Sequence, residues 1–352
     1  MAPSIAEAST AQVVVPINDV PGTAEGKPRV RRIIEEEGEN TTATYPHYLP
    51  VFDYGEKYPP LEPFTHVEHG KDADASFKDV LTEGSKIQKL TPTIGSEVTG
   101  IQLSKLTSAG KDQLALLVAQ RKVDAFRDQD LADLPIQEAL DFGGYFGRHH
   151  IHPTSGAPEG YPEIHLVHRN DNAWDRDVYP SSKNSSVSWH SDVTYEQQPP
   201  GTTFLYFLDG PEVGGDTAFV DQVEAYNRLL PALKERIHGL KAVHTGFEQA
   251  EFSLKRGGGL TSMQVTRSIV ELKKEESDAL LGFLLAHVGR GIDYQARIRW
   301  APKTVVVWDN RVTAHSAIVD WTTGERRHLA RITPQAERPY ETPYIPEVET
   351  EE

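Results

Sequence analysis

The chain contains Trp189-His190-Ser191-Asp192, a His-x-Asp pair, and far downstream an isolated histidine, His315, in Trp308-Asp309-Asn310-Arg311-Val312-Thr313-Ala314-His315. Two imidazoles and one carboxylate on one face of a metal ion leave the opposite face open to substrate and oxygen, the facial triad of non-haem Fe(II) oxygenases. In an extended strand residues i and i+2 share a face, so His190 and Asp192 can reach one ion while Ser191 points away. The third ligand must come from a distant strand folded back alongside the first. The apolar run Thr304-Val305-Val306-Val307-Trp308, just before His315, reads as such a strand. With 14 histidines in the chain a His-x-Asp pair is weak by itself, so its neighbours decide its weight.

Composition narrows the chemistry. At 352 residues and 38 % hydrophobic, the chain suits one large soluble domain with tails, and it has no apolar run long enough to span a bilayer. The absence of cysteine excludes disulfides, thiolate metal sites and a cysteine nucleophile, so any metal must sit on His and carboxylate ligands. A net charge of -16 argues against nucleic acid or an anionic membrane as partner. Part of that charge is peripheral, in Glu35-Glu36-Glu37 and in Glu347-Val348-Glu349-Thr350-Glu351-Glu352, and reads as solvation. Met1 to Val20 has neither a basic start nor a sustained apolar core, so no secretory signal is expected and the expected location is cytoplasmic.

The elements that must position these residues can be read coarsely. Residues 1–45 mix Pro, Gly, Ser, Thr and charge without periodicity, as a mobile extension does. Residues 46–85 open with a Tyr/Pro-rich stretch too aromatic for a free linker, and read as an arm packed on the domain or on a neighbouring subunit of a homo-oligomer. The folded body is expected over 86–337, followed by an acidic tail over 338–352. Ser108 can cap a helix to about Arg121 with Leu114, Leu117 and Val118 on one face. A second helix is predicted from Leu134 to Phe146, ended by Gly147. Strands are predicted at Glu163 to Val167, Thr202 to Leu208, Thr217 to Val220, Thr304 to Trp308 and Arg326 to Thr333. Helices interrupt them at Val223 to Leu240 and Ser277 to Ala286. Many short strands with helices confined to insertions predict a mainly β fold with helical insertions, a double-stranded β-helix or jelly roll, rather than a parallel α/β sheet. Lys255-Arg256-Gly257-Gly258-Gly259 lacks a strand before it and a helix after it, and reads as a loop rather than a nucleotide cradle.

Two further segments add chemistry to the triad. Gly214-Gly215-Asp216-Thr217 follows His190, and Arg326-Arg327-His328-Leu329-Ala330-Arg331 follows His315. Arginine forks suit carboxylates and other oxyanions, and a threonine hydroxyl can complete such a pocket. Iron on three protein groups beside two anion-binding arginines is what a 2-oxo acid cosubstrate requires.

Trp-His-x-Asp-Val-Thr-Tyr, Pro-Pro-Gly, Gly-Gly-Asp-Thr, Trp-Asp-Asn-Arg, the His315 region and Arg-Arg-x-x-x-Arg occur in this order, and over roughly residues 86 to 337 the chain resembles the taurine dioxygenase family of Fe(II)/2-oxoglutarate oxygenases. The arm beginning Tyr45-Pro46-His47-Tyr48-Leu49-Pro50 looks like that of the fungal sulfonate dioxygenases in that family. The resemblance implies that His190, Asp192 and His315 bind Fe(II). It implies that Thr217 and Arg327 hold the distal carboxylate of 2-oxoglutarate, and that Arg331 lies between this cosubstrate and a small anionic substrate. It matches His152, in His150-Ile151-His152-Pro153, and the backbone N–H of Val193 to contacts with a sulfonate. Where the taurine enzyme reads the substrate's amine with a tyrosine and an asparagine, this chain aligns Ser155 and Ser186. The oxyanion end of the site is retained and the amine end is not.

The reading is thus a dioxygenase that uses O2 and 2-oxoglutarate to hydroxylate the carbon beside a sulfonate, releasing sulfite and an aldehyde with succinate and carbon dioxide. A rival of the same fold hydroxylates a sulfate ester, an amino acid or a secondary metabolite. Another, of a different class, is a zinc hydrolase using the same three ligands to activate water, which leaves Thr217 and Arg327 without a role.

Overall fold

The computed structural model of the protein describes residues 29–53, 55–56, 58–59, 61–169, 185, 187–247, 266–321, 324–343 and 345. Its strands run, in chain order, β1 (Val30–Arg32), β2 (Val51–Asp53), β3 (Lys86–Lys89), β4 (Ser96–Thr99), β5 (Val123–Phe126), β6 (Ile164–Arg169), β7 (Thr202–Asp209), β8 (Thr217–Asp221), β9 (Ala242–His244), β10 (Thr266–Ile269), β11 (Gln295–Ile298), β12 (Val305–Asp309), β13 (Thr313–Ala317) and β14 (Arg327–Ile332). A seven-stranded sheet has the order β3-β4-β5-β12-β7-β14-β6, and a three-stranded sheet the order β11-β8-β13. Every pairing within these two sheets is antiparallel except β4 with β5. The protein is mainly β with helical insertions, as the short predicted strands required.

Side-chain alternation along β12 shows how the layers form. Val306 and Trp308 point inward, into a cluster with Leu205 and Leu329 of the large sheet and Phe219, Ala296 and Ile298 of the small one. Val305 and Val307 point the other way, into a cluster with Tyr206, Ile332 and the helical residues Leu114, Leu117, Val118 and Leu140. The run is continuously apolar because both of its faces are covered. Each fully buried side chain of this kind contributes roughly 1.5–3 kcal/mol.

The helices cover the outer face of the large sheet and fill the insertions. Ser108–Arg121 is capped by Thr107, whose Oγ1 accepts the Gly110 N–H at 3.1 Å, one residue before the expected Ser108, which is already helical. Ile136–Gly144 stops at Tyr145, so Gly147 is not its terminator; a Cβ at Gly147 would lie 2.2 Å from the Gln335 carbonyl, and close backbone approach is why glycine stands there. The stretch Val223 to Leu240 is two helices, Gln222–Asn227 and Pro231–Ile237, because Pro231 lacks an N–H to continue a helix and is well suited to begin one. The segment Ser277 to Ala286 lies inside the longer helix Lys274–Arg290. Among the described residues no helix is long and apolar enough to cross a membrane.

Composition puts residues 1–45 in a mobile extension, yet 29–45 are part of the folded body. β1 pairs with β2, and the Arg326 fork donates to both carboxylate oxygens of Glu37 at 2.9 and 2.7 Å. Tyr48 of the arm is fully buried, its hydroxyl accepting from that of Tyr206 at 3.1 Å. Residues 1–28, the segment 170–184, Ser186, the glycine run and the last glutamates lie outside the described residues.

Asp124 of β5 is fully buried on the helix-covered face. Burial, opposed only in part by the Ser96 hydroxyl and the Arg121 charge, pushes its carboxyl up to about 8. A carboxyl raised above its unfolded value is protonated in the native state, so its contribution is intact at low pH and is lost as pH rises from about 4 towards 8, by up to about 1.4 kcal/mol per pH unit. Urea midpoints of the wild type and Asp124→Asn should therefore diverge in the variant's favour between pH 5 and pH 8. A difference that stays constant over that range would show Asp124 to be ionised in the fold.

Candidate metal centre

The backbone brings the first and last ligands together. His190 and His315 exchange main-chain hydrogen bonds of 3.1 and 2.8 Å, an antiparallel bridge that adds the His190 segment to the open edge of β13. His315 therefore sits on β13, not on the apolar β12 that precedes it; the chain leaves the large sheet at Asp309 and joins the small one at Thr313. The extended segment ends at the bridge. Asp192 lies in the turn that follows, and Val193 adopts a φ of +41°, a strained value for a β-branched residue.

Asn310 holds that turn. Its Oδ1 accepts the Asp192 N–H at 2.8 Å, and its Nδ2 donates to the Asp192 carbonyl at 3.1 Å. Ser191 donates to the Thr313 carbonyl at 2.6 Å, which fixes the residue between the two ligands on the side away from them. With both neighbours pinned, one nitrogen of His190, one of His315 and one oxygen of Asp192 lie within 4.8 Å of one another and could hold a metal ion. His190 Nδ1 lies 2.9 Å from the Ser188 carbonyl; donating to it leaves Nε2 as the unprotonated nitrogen a metal needs. Burial pushes His315 down to about 3, so its imidazole is neutral at pH 7. For Asp192 burial acts to raise the carboxyl, but the Arg331 charge, helped by the hydrogen bond that guanidinium donates, outweighs it and holds the group well below the usual carboxylate range. One carboxylate and two imidazole nitrogens, with no sulfur, suit Fe(II).

The two arginines of β14 point into the space between the sheets at separate places, about 13 Å apart along the strand. Arg327 Nε donates to the Gly215 carbonyl at 2.7 Å, and Nη2 donates to Thr217 Oγ1 at 3.4 Å. Thr217 Oγ1 also accepts from Trp300 Nε1 at 3.0 Å. Burial, reinforced by the Arg169 charge and opposed by Asp216 and Asp320, pulls the Arg327 guanidinium down to about 9. Among its described hydrogen bonds none goes to a carboxylate. A buried cation so placed fits a ligand that brings its own carboxylate, as 2-oxoglutarate does. Gly214 and Gly215 have φ of +91° and +69°, and a Cβ on Gly215 would press on Arg327 Cδ at 3.2 Å. The paired glycines make the turn that lays a carbonyl against the guanidinium.

The family model for the taurine catabolism dioxygenase TauD, TfdA family matches residues 86–265 and 254–333. The chain belongs to this family. It is 42 % identical over 325 residues to the alpha-ketoglutarate-dependent sulfonate dioxygenase of Saccharomyces cerevisiae, covering 84 % of this chain and 79 % of that one. It is 37 % identical to the alpha-ketoglutarate-dependent dioxygenase cnsP of Penicillium expansum, covering 87 % and 90 %. A crystal structure of a taurine dioxygenase from Burkholderia xenovorans superposes with a TM-score of 0.57 at 27 % identity, over 72 % of this chain and 90 % of that one. Family membership makes the protein a 2-oxoglutarate-dependent dioxygenase, and the zinc-hydrolase rival is not favoured.

In this dioxygenase the second arginine meets the triad. Arg331 Nη1 donates to Asp192 Oδ2 at 2.6 Å. His152, 7 % exposed, lies edge-on to another imidazole, that of His165, with ring centroids 4.6 Å apart; Thr154 N–H donates to His152 Nδ1 at 3.3 Å, which leaves the proton on Nε2. Val193 is buried beside Asp192, and no described hydrogen bond uses its N–H. His165, on β6 directly opposite Arg331 of β14, takes an Arg331 N–H with Nδ1 2.6 Å away, and no sequence motif marks it. The signal was available, since i and i+2 alternation puts His165 and Val167 on one face of the predicted strand, but a lone strand histidine has no partner in sequence. Of the two serines aligned with the amine end of the taurine site, Ser155 is described and Ser186 lies outside the described residues.

A cavity of about 660 Å³ reaches the triad at His190 and is lined also by Trp189, Ser191, Gln222, Asn310 and Ala314; Asp192, His315 and the two arginines of β14 are not part of its lining. His66, Glu68 and Glu337 also group as metal ligands do. There, however, the Arg311 guanidinium donates to both carboxylates, so the group is an ion-pair network that ties arm to C-terminal segment.

Asn310→Ala removes both bonds to the Asp192 peptide and nothing from the ligand atoms. Partners of this kind typically change metal affinity 10–100-fold. Titration with Mn(II), monitored by calorimetry, should show a loss of about that size at nearly unchanged stoichiometry. An affinity equal to that of the wild type would show that the turn keeps Asp192 in place without Asn310.

Proposed function

We propose that the protein hydroxylates the carbon bearing a sulfonate in a small anionic substrate, with His190, Asp192 and His315 holding Fe(II) and with Thr217 and Arg327 holding the distal carboxylate of 2-oxoglutarate. The two facing sheets support reading the fold as the double-stranded β-helix, or jelly roll, of this family. Iron bound there would supply the electrons that activate dioxygen, which no side chain of the protein can do.

The observation that supports the substrate reading is the burial of Arg331, His152 and Val193 around Asp192, with Arg331 bonded to Asp192 and both Arg331 and His152 against His165. A sulfonate presents three oxygens around one sulfur, and these three residues offer a charged fork, an imidazole N–H and a main-chain N–H at one end of the site. Burial first, then the neighbouring His150 and Arg331 charges, push His152 well below its ordinary value, so at pH 7 it is a neutral donor that adds no charge of its own. The anchored sulfonate would leave its adjacent C–H directed towards the triad, where position rather than acid–base chemistry decides which bond is attacked. One oxygen atom of O2 enters succinate as 2-oxoglutarate loses carbon dioxide, and the other enters the C–H bond. The resulting carbon carries both hydroxyl and sulfonate. Loss of the hydroxyl proton forms the carbonyl, and the C–S bond pair leaves with sulfite.

Sulfite release from a panel of alkyl sulfonates, sulfate esters and amino acids, with and without 2-oxoglutarate, tests this reading. Simple alkyl sulfonates should yield sulfite only with 2-oxoglutarate present, at rates equal to or above taurine, while His190→Ala, Asp192→Ala and His315→Ala should each abolish it. Turnover of sulfate esters alone would move the assignment to the rival of the same fold. Removing a buried fork from a carboxylate costs about 2–5 kcal/mol, so Arg327→Ala should raise the 2-oxoglutarate requirement by orders of magnitude and Arg327→Lys should restore only part of it. Saturation of the Ala variant at the wild-type concentration would place Arg327 outside the pocket.

A further inference from the structure

On the side of Arg331 away from Asp192, its partner among the described residues is a histidine. β6 pairs with β14 so that His165 stands directly across from Arg331, and His165 is 3 % exposed. Arg331 Nη2 lies 2.6 Å from His165 Nδ1 and 3.2 Å from its Nε2, while Nη1 donates to Asp192 Oδ2. The guanidinium is therefore stretched between a metal ligand and an imidazole. Two of its five N–H groups are used in these contacts, and Nε is buried with no hydrogen-bond partner.

We infer that His165 is a positioning residue for the substrate oxyanion: it fixes the direction of the Arg331 fork without setting a second negative charge beside it. This inference rests on the oxyanion reading of the site given above. An arginine between two sheets has long, soft torsions, and an ion pair is the usual way to pin one. A carboxylate at position 165 would pin it equally well but would add a second negative charge, beside that of Asp192, where an incoming sulfonate must bind. A neutral imidazole takes the N–H with Nδ1 as its nearer nitrogen and adds no negative charge to the one Asp192 already sets against the guanidinium. Burial first, then the Arg331 charge, push His165 well below its ordinary value, so it is neutral at pH 7 and able to accept. His152, edge-on to His165 at 4.6 Å, is held against the same group, so the fork and the second donor share one support.

The choice of imidazole over carboxylate is what a test must isolate. His165→Asn keeps an acceptor near the position of Nδ1, His165→Asp keeps the acceptor and adds a negative charge, and His165→Leu removes the acceptor. Binding of ethanesulfonate to protein loaded with Mn(II) and 2-oxoglutarate, measured by calorimetry without oxygen, should weaken about tenfold or more in His165→Asp and His165→Leu but only a few-fold in His165→Asn, since each 1.4 kcal/mol of lost interaction is a factor of ten. Affinity for 2-oxoglutarate, held at the other arginine, should change less than about threefold in all of them. His165→Asn binding ethanesulfonate no better than His165→Asp, or His165→Leu binding it as the wild type does, overturns the inference. So does a parallel loss of 2-oxoglutarate and ethanesulfonate binding in all three variants, which is what a purely structural histidine would give. A wild type that fails to bind ethanesulfonate overturns the oxyanion reading itself, and the inference with it; a wild type that binds while the variants break the expected order overturns the inference alone.

Discussion

The pair of main-chain hydrogen bonds exchanged by His190 and His315 is the contact on which the site depends. A metal ligand set drawn from two distant parts of a chain needs a backbone reference shorter than the side chains it carries, and an antiparallel bridge supplies one with its two residues directly opposed. The bridge fixes two imidazoles against each other, with ring centroids 4.4 Å apart, and Phe219 and Trp308 pack on the His315 ring from the core between the sheets. The third ligand is not part of this ladder. Asp192 is aimed by a strained turn, and the Asn310 amide gripping its peptide holds the strain in place.

Charge in the space between the sheets is arranged asymmetrically. Asp192 is the anion of the metal centre and is already satisfied by Arg331, whereas Arg327 is paired with a carbonyl and a hydroxyl. A buried cation without a carboxylate partner is unstable relative to one that has it. The fold therefore carries a standing preference for an anionic ligand at the Arg327 end, next to a turn whose glycines let a carbonyl approach. At the other end Arg331 is shared between the Asp192 carboxylate and a neutral imidazole. The two arginines of β14 thus stand in different company: none of the described hydrogen bonds of Arg327 goes to a carboxylate, whereas Arg331 joins Asp192 to His165.

The arm and the C-terminal segment belong to the same construction. Arg311, next to Asn310, donates to Asp309, to Glu68 of the arm and to Glu337 beyond β14. Through this residue the segments at both ends of the folded body converge on the turn that connects β12 to β13, which is the turn that places Asn310 under Asp192. Tyr48, buried against Tyr206, anchors the arm on the opposite face of the large sheet. The aromatic residues of the arm are core residues, which accounts for a composition unlike a linker.

The sequence by itself marked His190, Asp192 and His315 as a candidate ligand set, because their chemistry lies in residue type; the two-residue strand period does not account for their geometry, since Asp192 is aimed by a turn. It also determined the mainly β class, through short runs such as 202–208 and 304–308, and the pairing of Thr217 with Arg327, through motif order. Local boundaries were legible to within a few residues, and the errors had local causes: Pro231 divides a helix whose apolar periodicity runs on, and Thr107 competes with Ser108 for one cap. Tertiary structure alone decided what depends on opposition across strands. His165 faces Arg331, Asn310 grips Asp192 and Glu37 meets Arg326 only because β14 pairs with β6, because the chain changes sheet between β12 and β13, and because the segment ahead of the arm folds back. Such contacts join residues separated by more than a hundred positions, and no local period or propensity encodes which of many buried polar groups will stand across from which.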